Sequence, residues 1–136
     1  MIRLSAAAVF VLTGLALPAR ATEWMDCGDA EKTVSLRLLL GAMDVIAVNT
    51  IEIEAAGKTW STTGAQGAIR VTTGQAFETA DQIWVDVTDE NVGKIIAKLR
   101  LFKASDDTEG LDNGYAVAGT LSLPGFGVWP IICSGH

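Results

Sequence analysis

The chain has 136 residues, 10 basic and 16 acidic, for a net charge of −6, and 49% of it is apolar. A surface of that sign repels phosphate backbones and anionic lipid, which argues against nucleic acid as a partner and favours basic surfaces. The single histidine, His136, is the last residue; chain ends fray, so a histidine-centred triad or a histidine-rich metal site is not expected.

Residues 1–21 read as a signal peptide. Arg3 supplies the positive start, Leu4 to Leu17 form an apolar run, and Ala19-Arg20-Ala21 has the small-x-small spacing that signal peptidase cleaves. The run is shorter than the roughly 20 residues of a membrane span, and no membrane span is expected elsewhere. The predicted mature protein is a single domain over residues 22–136, periplasmic or secreted, with eight basic and sixteen acidic residues once Arg3 and Arg20 are removed. Its two cysteines, Cys27 and Cys133, lie near its two ends. In an oxidising compartment an even pair predicts one disulfide, tying the first and last strands together.

After the signal, apolar residues alternate with polar ones and no useful helical period appears. Val34, Leu36, Leu38 and Leu40 mark the first half-buried strand. Val45–Val48 and Ile51–Glu54 are extended pieces whose phase shifts at Asn49-Thr50, which predicts a bulge. Ala55-Ala56-Gly57-Lys58 reads as a hairpin turn into Thr59–Thr62. Ile69 and Val71 mark a short strand that ends near Gly74. The clearest pair is Ile83–Thr88 and Ile95–Phe102, joined by an Asp89–Gly93 turn. Val85 and Leu99 point into the core there, and Lys98 and Arg100 lie outside within reach of Asp86. Tyr115–Leu123 and Val128–Cys133 complete the set, with Pro130 fitting an edge or a bulge. The predicted fold is all-β: an antiparallel sandwich or small barrel of about eight short strands, closed by one terminal disulfide. No internal repeat or linker is read along the chain.

No nucleophile elbow, phosphate loop or zinc-protease motif is present. The acidic loop of Asp106, Asp107, Glu109 and Asp112 is a weak calcium candidate whose spacing departs from the helix–loop–helix pattern; a solvated loop ending in an Asn-Gly turn is the simpler reading. Asp86 with Glu90 or Glu78 is the carboxylate pairing a glycan hydrolase would need. Trp84 and Phe102 lie out of phase with the aliphatic residues of their strands, so they form either a contact patch or a second core layer. Phe126 and Trp129, in the segment Leu123–Pro130, read as a binding loop or as a plug for one end of a barrel. Thr73-Gly74-Gln75-Ala76-Phe77 resembles the Ser-Gly-x-x-Tyr stretch of periplasmic lysozyme inhibitors, over five residues with both end positions substituted and without the Lys-Gly turn that follows it in that family. The chain is not assigned to the family on so short a match.

The expectation is a non-catalytic exported domain without cofactors that binds a protein, with Trp84, Phe102, Phe126 and Trp129 as binding candidates and no catalytic residue named. An acidic inhibitor of a basic hydrolase and an envelope-associated role are versions of it. The alternatives are a small cell-wall hydrolase using carboxylates, and small-ligand binding inside a barrel. The identity of the partner and the oligomeric state stay open at this stage.

Overall fold

Period-two alternation of apolar and polar residues lets one face of a strand bury while the other meets water, and this pattern builds most of the chain. The computed structural model describes residues 22–41, 45–105 and 115–135. The signal-peptide reading of residues 1–21, the calcium candidates Asp106, Asp107, Glu109 and Asp112, and His136 lie outside the described residues.

Ten strands form one sheet: β1 (Glu23–Gly28), β2 (Val34–Gly41), β3 (Ala47–Ala55), β4 (Lys58–Ser61), β5 (Ile69–Arg70), β6 (Thr72–Glu78), β7 (Gln82–Thr88), β8 (Ile95–Ser105), β9 (Tyr115–Leu123) and β10 (Gly127–Ser134). Their order is β5-β4-β3-β2-β1-β10-β9-β8-β7-β6. Every ladder is antiparallel except β4 with β5. Among the described residues there is no helix, and hence none long and apolar enough to cross a membrane.

The sheet curls into a nearly closed barrel, which decides between the two predicted architectures. The first closure is covalent. β5 pairs with β4, the chain passes Val71, and β6 continues onto β7, so one extended run changes partner and joins the two sheet edges. Val71 is buried and donates its N–H to the Ser61 carbonyl at 3.1 Å. Beyond it, Thr73 Oγ1 reaches the Val48 carbonyl of β3 at 3.4 Å. The second closure is at the chain ends, where β1 and β10 pair over Asp26↔Ser134, Cys27↔Cys133 and Gly28↔Ile132. The Cys27–Cys133 disulfide spans that junction as predicted.

The inward phase fills the barrel. Met25 and Cys27 of β1, Leu36 and Leu38 of β2, Ile51 and Ile53 of β3, Ile83 and Val85 of β7, Leu99 and Leu101 of β8, Leu121 of β9 and Ile131 of β10 are all buried. Val85 and Leu99 face inward, as the alternation requires.

Two strands exceed the predicted eight. β1 lies ahead of the first alternation read from the sequence. β6 has a weak apolar pattern, and Gly74, read as the end of the strand marked by Ile69 and Val71, sits instead within β6 at a register shift between Thr73 and Gln75. The predicted bulge near Asn49 is present: Leu39 pairs with Thr50 and Leu40 with Val48, leaving Asn49 as the extra residue. Pro130 falls where β10 extends past the last β1 pair, Gly28↔Ile132, on a stretch paired to β9 alone. A residue without an N–H is tolerated there.

Candidate functional site

The outward phase of β6, β7 and β8 carries large side chains where a sheet facing water usually carries short polar ones. Register places Phe77, Trp84 and Arg100 directly opposite one another across three strands. Phe102 follows two positions beyond Arg100 on β8. Phe77 is 54% exposed, Trp84 44% and Phe102 61%. Both Trp84 and Phe102 therefore lie on the outside of the barrel, not in a second core layer.

The group is braced. Phe77 and Trp84 meet edge-on, with ring centroids 6.2 Å apart and planes at 61°. The Arg100 guanidinium lies over the Trp84 ring, 5.2 Å from its centroid. Arg100 Nη2 donates to Asp86 Oδ1 at 2.6 Å, and Nη1 donates to the Leu99 carbonyl at 2.7 Å. Asp86 is directly opposite Lys98 in the ladder, yet the diagonal Arg100 takes the ion pair. A guanidinium can stack on the indole and bond the carboxylate at once, which an ammonium does less well. The Trp84 ring thus has Phe77 at its edge and the Arg100 guanidinium over its face.

Phe126 and Trp129 do not join this group. Pro124 and Gly125 occupy the centre of a turn closed by the Phe126 N–H on the Leu123 carbonyl at 2.9 Å. Pro at the second turn position and a glycine with φ +86° at the third suit a type II turn. The turn folds Phe126 against buried Trp60, edge-on at 5.3 Å, near the end of the barrel where β8 begins. Trp129 is on the inward phase of β10, partly buried against the core.

The three carboxylates considered for hydrolysis stand apart, each on its own cation. Asp86 is held by Arg100, Glu78 Oε1 accepts from Lys103 Nζ at 2.7 Å, and Glu90 pairs with Arg70 at 3.0 Å. No group of three or more His, Cys, Asp or Glu side chains able to hold a metal is found among the described residues. The interior positions that would line a ligand cavity are occupied by the buried aliphatic side chains named above.

A second braced tryptophan was missed in the sequence. Trp24 on β1 is 36% exposed, with the Arg37 guanidinium of β2 lying 4.5 Å from its ring centroid. Arg37 Nε donates to Asp26 Oδ1 at 2.8 Å, and Nη1 lies 3.5 Å from Glu52 Oε2 of β3. The available signal was a repeated pattern, Trp24-Met25-Asp26-Cys27-Gly28-Asp29 and Trp84-Val85-Asp86-Val87-Thr88-Asp89. Comparison with protein-family models, with curated proteins and with solved structures finds no match.

Proposed function

We propose that this chain is an exported, non-catalytic binding domain whose outer face of Phe77, Trp84, Arg100 and Phe102 takes a basic protein partner. The observation that carries the reading is the exposed yet immobilised Trp84, stacked under Arg100 and against Phe77. Tryptophan and arginine are the residue types that dominate interface energies, and a ring already held in place loses little freedom on binding. The exported chain, with eight basic and sixteen acidic residues, has a net charge of −8, which favours encounter with a positive surface. Export is supported by the Arg3-to-Ala21 leader pattern and by the Cys27–Cys133 disulfide, a bond suited to an oxidising compartment.

The test is affinity capture with chain recovered from periplasm, whose intact mass should begin at or near Thr22. Trp84→Ala should keep its fold, because the ring is 44% exposed and stands outside the buried core. It should weaken capture at least ~30-fold, as loss of an interface anchor does. Undiminished capture by a folded Trp84→Ala protein would refute the assignment of this face.

A further inference from the structure

The two tryptophan sites occupy equivalent places in two equivalent hairpins. Trp24 and Asp26 lie on β1 as Trp84 and Asp86 lie on β7, each strand leading through an aspartate into its hairpin turn. Those aspartates work alike. Asp29 Oδ1 accepts the N–H groups of Thr33 and Val34 at 2.7 and 3.0 Å, four and five residues on. Asp89 Oδ1 accepts those of Gly93 and Lys94 at 2.8 and 3.2 Å, again four and five residues on. The third residue after each aspartate, Lys32 or Val92, has a left-handed φ of 59° or 57° and donates its N–H to that aspartate's carbonyl.

The likeness extends to the next strand. Thr50-Ile51-Glu52-Ile53 on β3 and Thr120-Leu121-Ser122-Leu123 on β9 take the same places, since Leu39 opposite Thr50 corresponds to Arg100 opposite Thr120. The barrel is therefore two four-stranded meanders, β1–β4 and β7–β10, with β5 and β6 inserted at one junction.

The arginines arrive from register positions two residues apart. Arg37 is directly opposite Asp26, and Arg100 is directly opposite Trp84. Both end with the guanidinium over the ring and a donor on Asp Oδ1. The same stack and ion pair are thus built twice by different routes.

From this we infer that the chain is bivalent: Trp24, Arg37 and Asp26 form a second contact site of the same class as the Trp84 site, and the two sites engage two separate basic protein surfaces. β1 and β7 are separated by β10, β9 and β8 in the sheet order. In a nearly closed barrel of ten strands this puts the sites on opposite flanks, so one compact partner surface cannot cover both. Glu52 beside Arg37 makes the Trp24 site net acidic, which suits the same basic partner. The inference rests on the proposed role of Trp84.

Peptides selected from a phage-displayed random dodecapeptide library on the exported chain supply a defined probe, and titration calorimetry counts the sites. Two equivalents of peptide per chain are expected. Trp24→Ala and Trp84→Ala should each leave one, and the double variant none. Arg37→Ala and Arg100→Ala, which release the rings without removing them, should each weaken one site about tenfold and keep a cooperative unfolding transition. One equivalent, lost with Trp84→Ala and untouched by Trp24→Ala, would overturn bivalence while sparing the Trp84 site. A library that yields no peptide sensitive to either tryptophan overturns both readings.

Discussion

Gly119 stands in the inward phase of β9, between Val117 and Leu121, where a larger side chain would be expected in a barrel wall. A Cβ placed there would come 1.9 Å from the Arg100 carbonyl oxygen of β8. Backbone cannot swing aside as a side chain can, so Gly119→Ala should cost about 3 kcal/mol or more, measured by denaturant unfolding. A glycine inside a strand pattern signals close approach of another backbone, a signal at Gly119 that the sequence reading did not use. Asp29 shows a different residue-scale effect. Its carboxylate accepts from the Thr33 hydroxyl and from two backbone N–H groups. The Thr33 hydroxyl bond is the largest cause, and it holds Asp29 below its ordinary 3.8 despite an opposing cost of desolvation. A depressed folded-state value means a stabilising contribution that is fully present above the ordinary value and is lost as the pH falls through the depressed one. Asp29→Asn should therefore flatten the stability profile below pH ~4 relative to the native chain. Parallel profiles for the two proteins in that range would refute this.

At the scale of elements, β8 shows what alternation makes legible. Leu99 is buried and Lys98 exposed, one residue apart. Leu99→Ala should cost about 2–4 kcal/mol through the cavity it leaves, and Lys98→Ala less than about 0.5 kcal/mol. Equal losses in thermal unfolding would mean the faces are inverted. Strands with such contrast were read from the sequence, β2, β7 and β9 to within a residue of their ends and β8 as far as Phe102, three residues short of Ser105. β6 was not, because its strand pattern is carried by Thr73, Gln75, Ala76 and Phe77, and its one large ring points outward. The outward phase of Trp84 and Phe102 was legible as a departure from pattern. Their exposure was not, since phase alone does not say whether a second layer covers a sheet. Arg100 over Trp84 was also out of reach, because the ladder pairs Asp86 with Lys98 and the choice of the diagonal arginine depends on side-chain shape.

The whole molecule depends on how a ten-stranded sheet is held in a ring. One junction is made by continuous chain through Val71, and it persists in any state where β5 and β6 are formed. The other, between β1 and β10, has three residue pairs, with the disulfide at the middle one. Seven pairs join β10 to β9, so the terminal junction is the shorter ladder and gains most from a covalent bond. The bridge closes a loop with a sequence separation of 106 residues. A loop of that length corresponds to roughly 4.7 kcal/mol in the chain-entropy treatment, a large share of a small domain's stability. At about 4 °C per kcal/mol for a domain of this size, reduction, or the double substitution Cys27→Ala and Cys133→Ala, should lower the melting temperature by on the order of 20 °C. Hydrogen exchange should locate the loss. Amides of β1 and the end of β10 should lose protection first in the reduced protein, while those of β7 and β8, separated from that junction by β9, should lose it last. A reduced protein that melts within a few degrees of the oxidised one, with unchanged protection at β1, would mean that the three-pair ladder holds the ring without its disulfide.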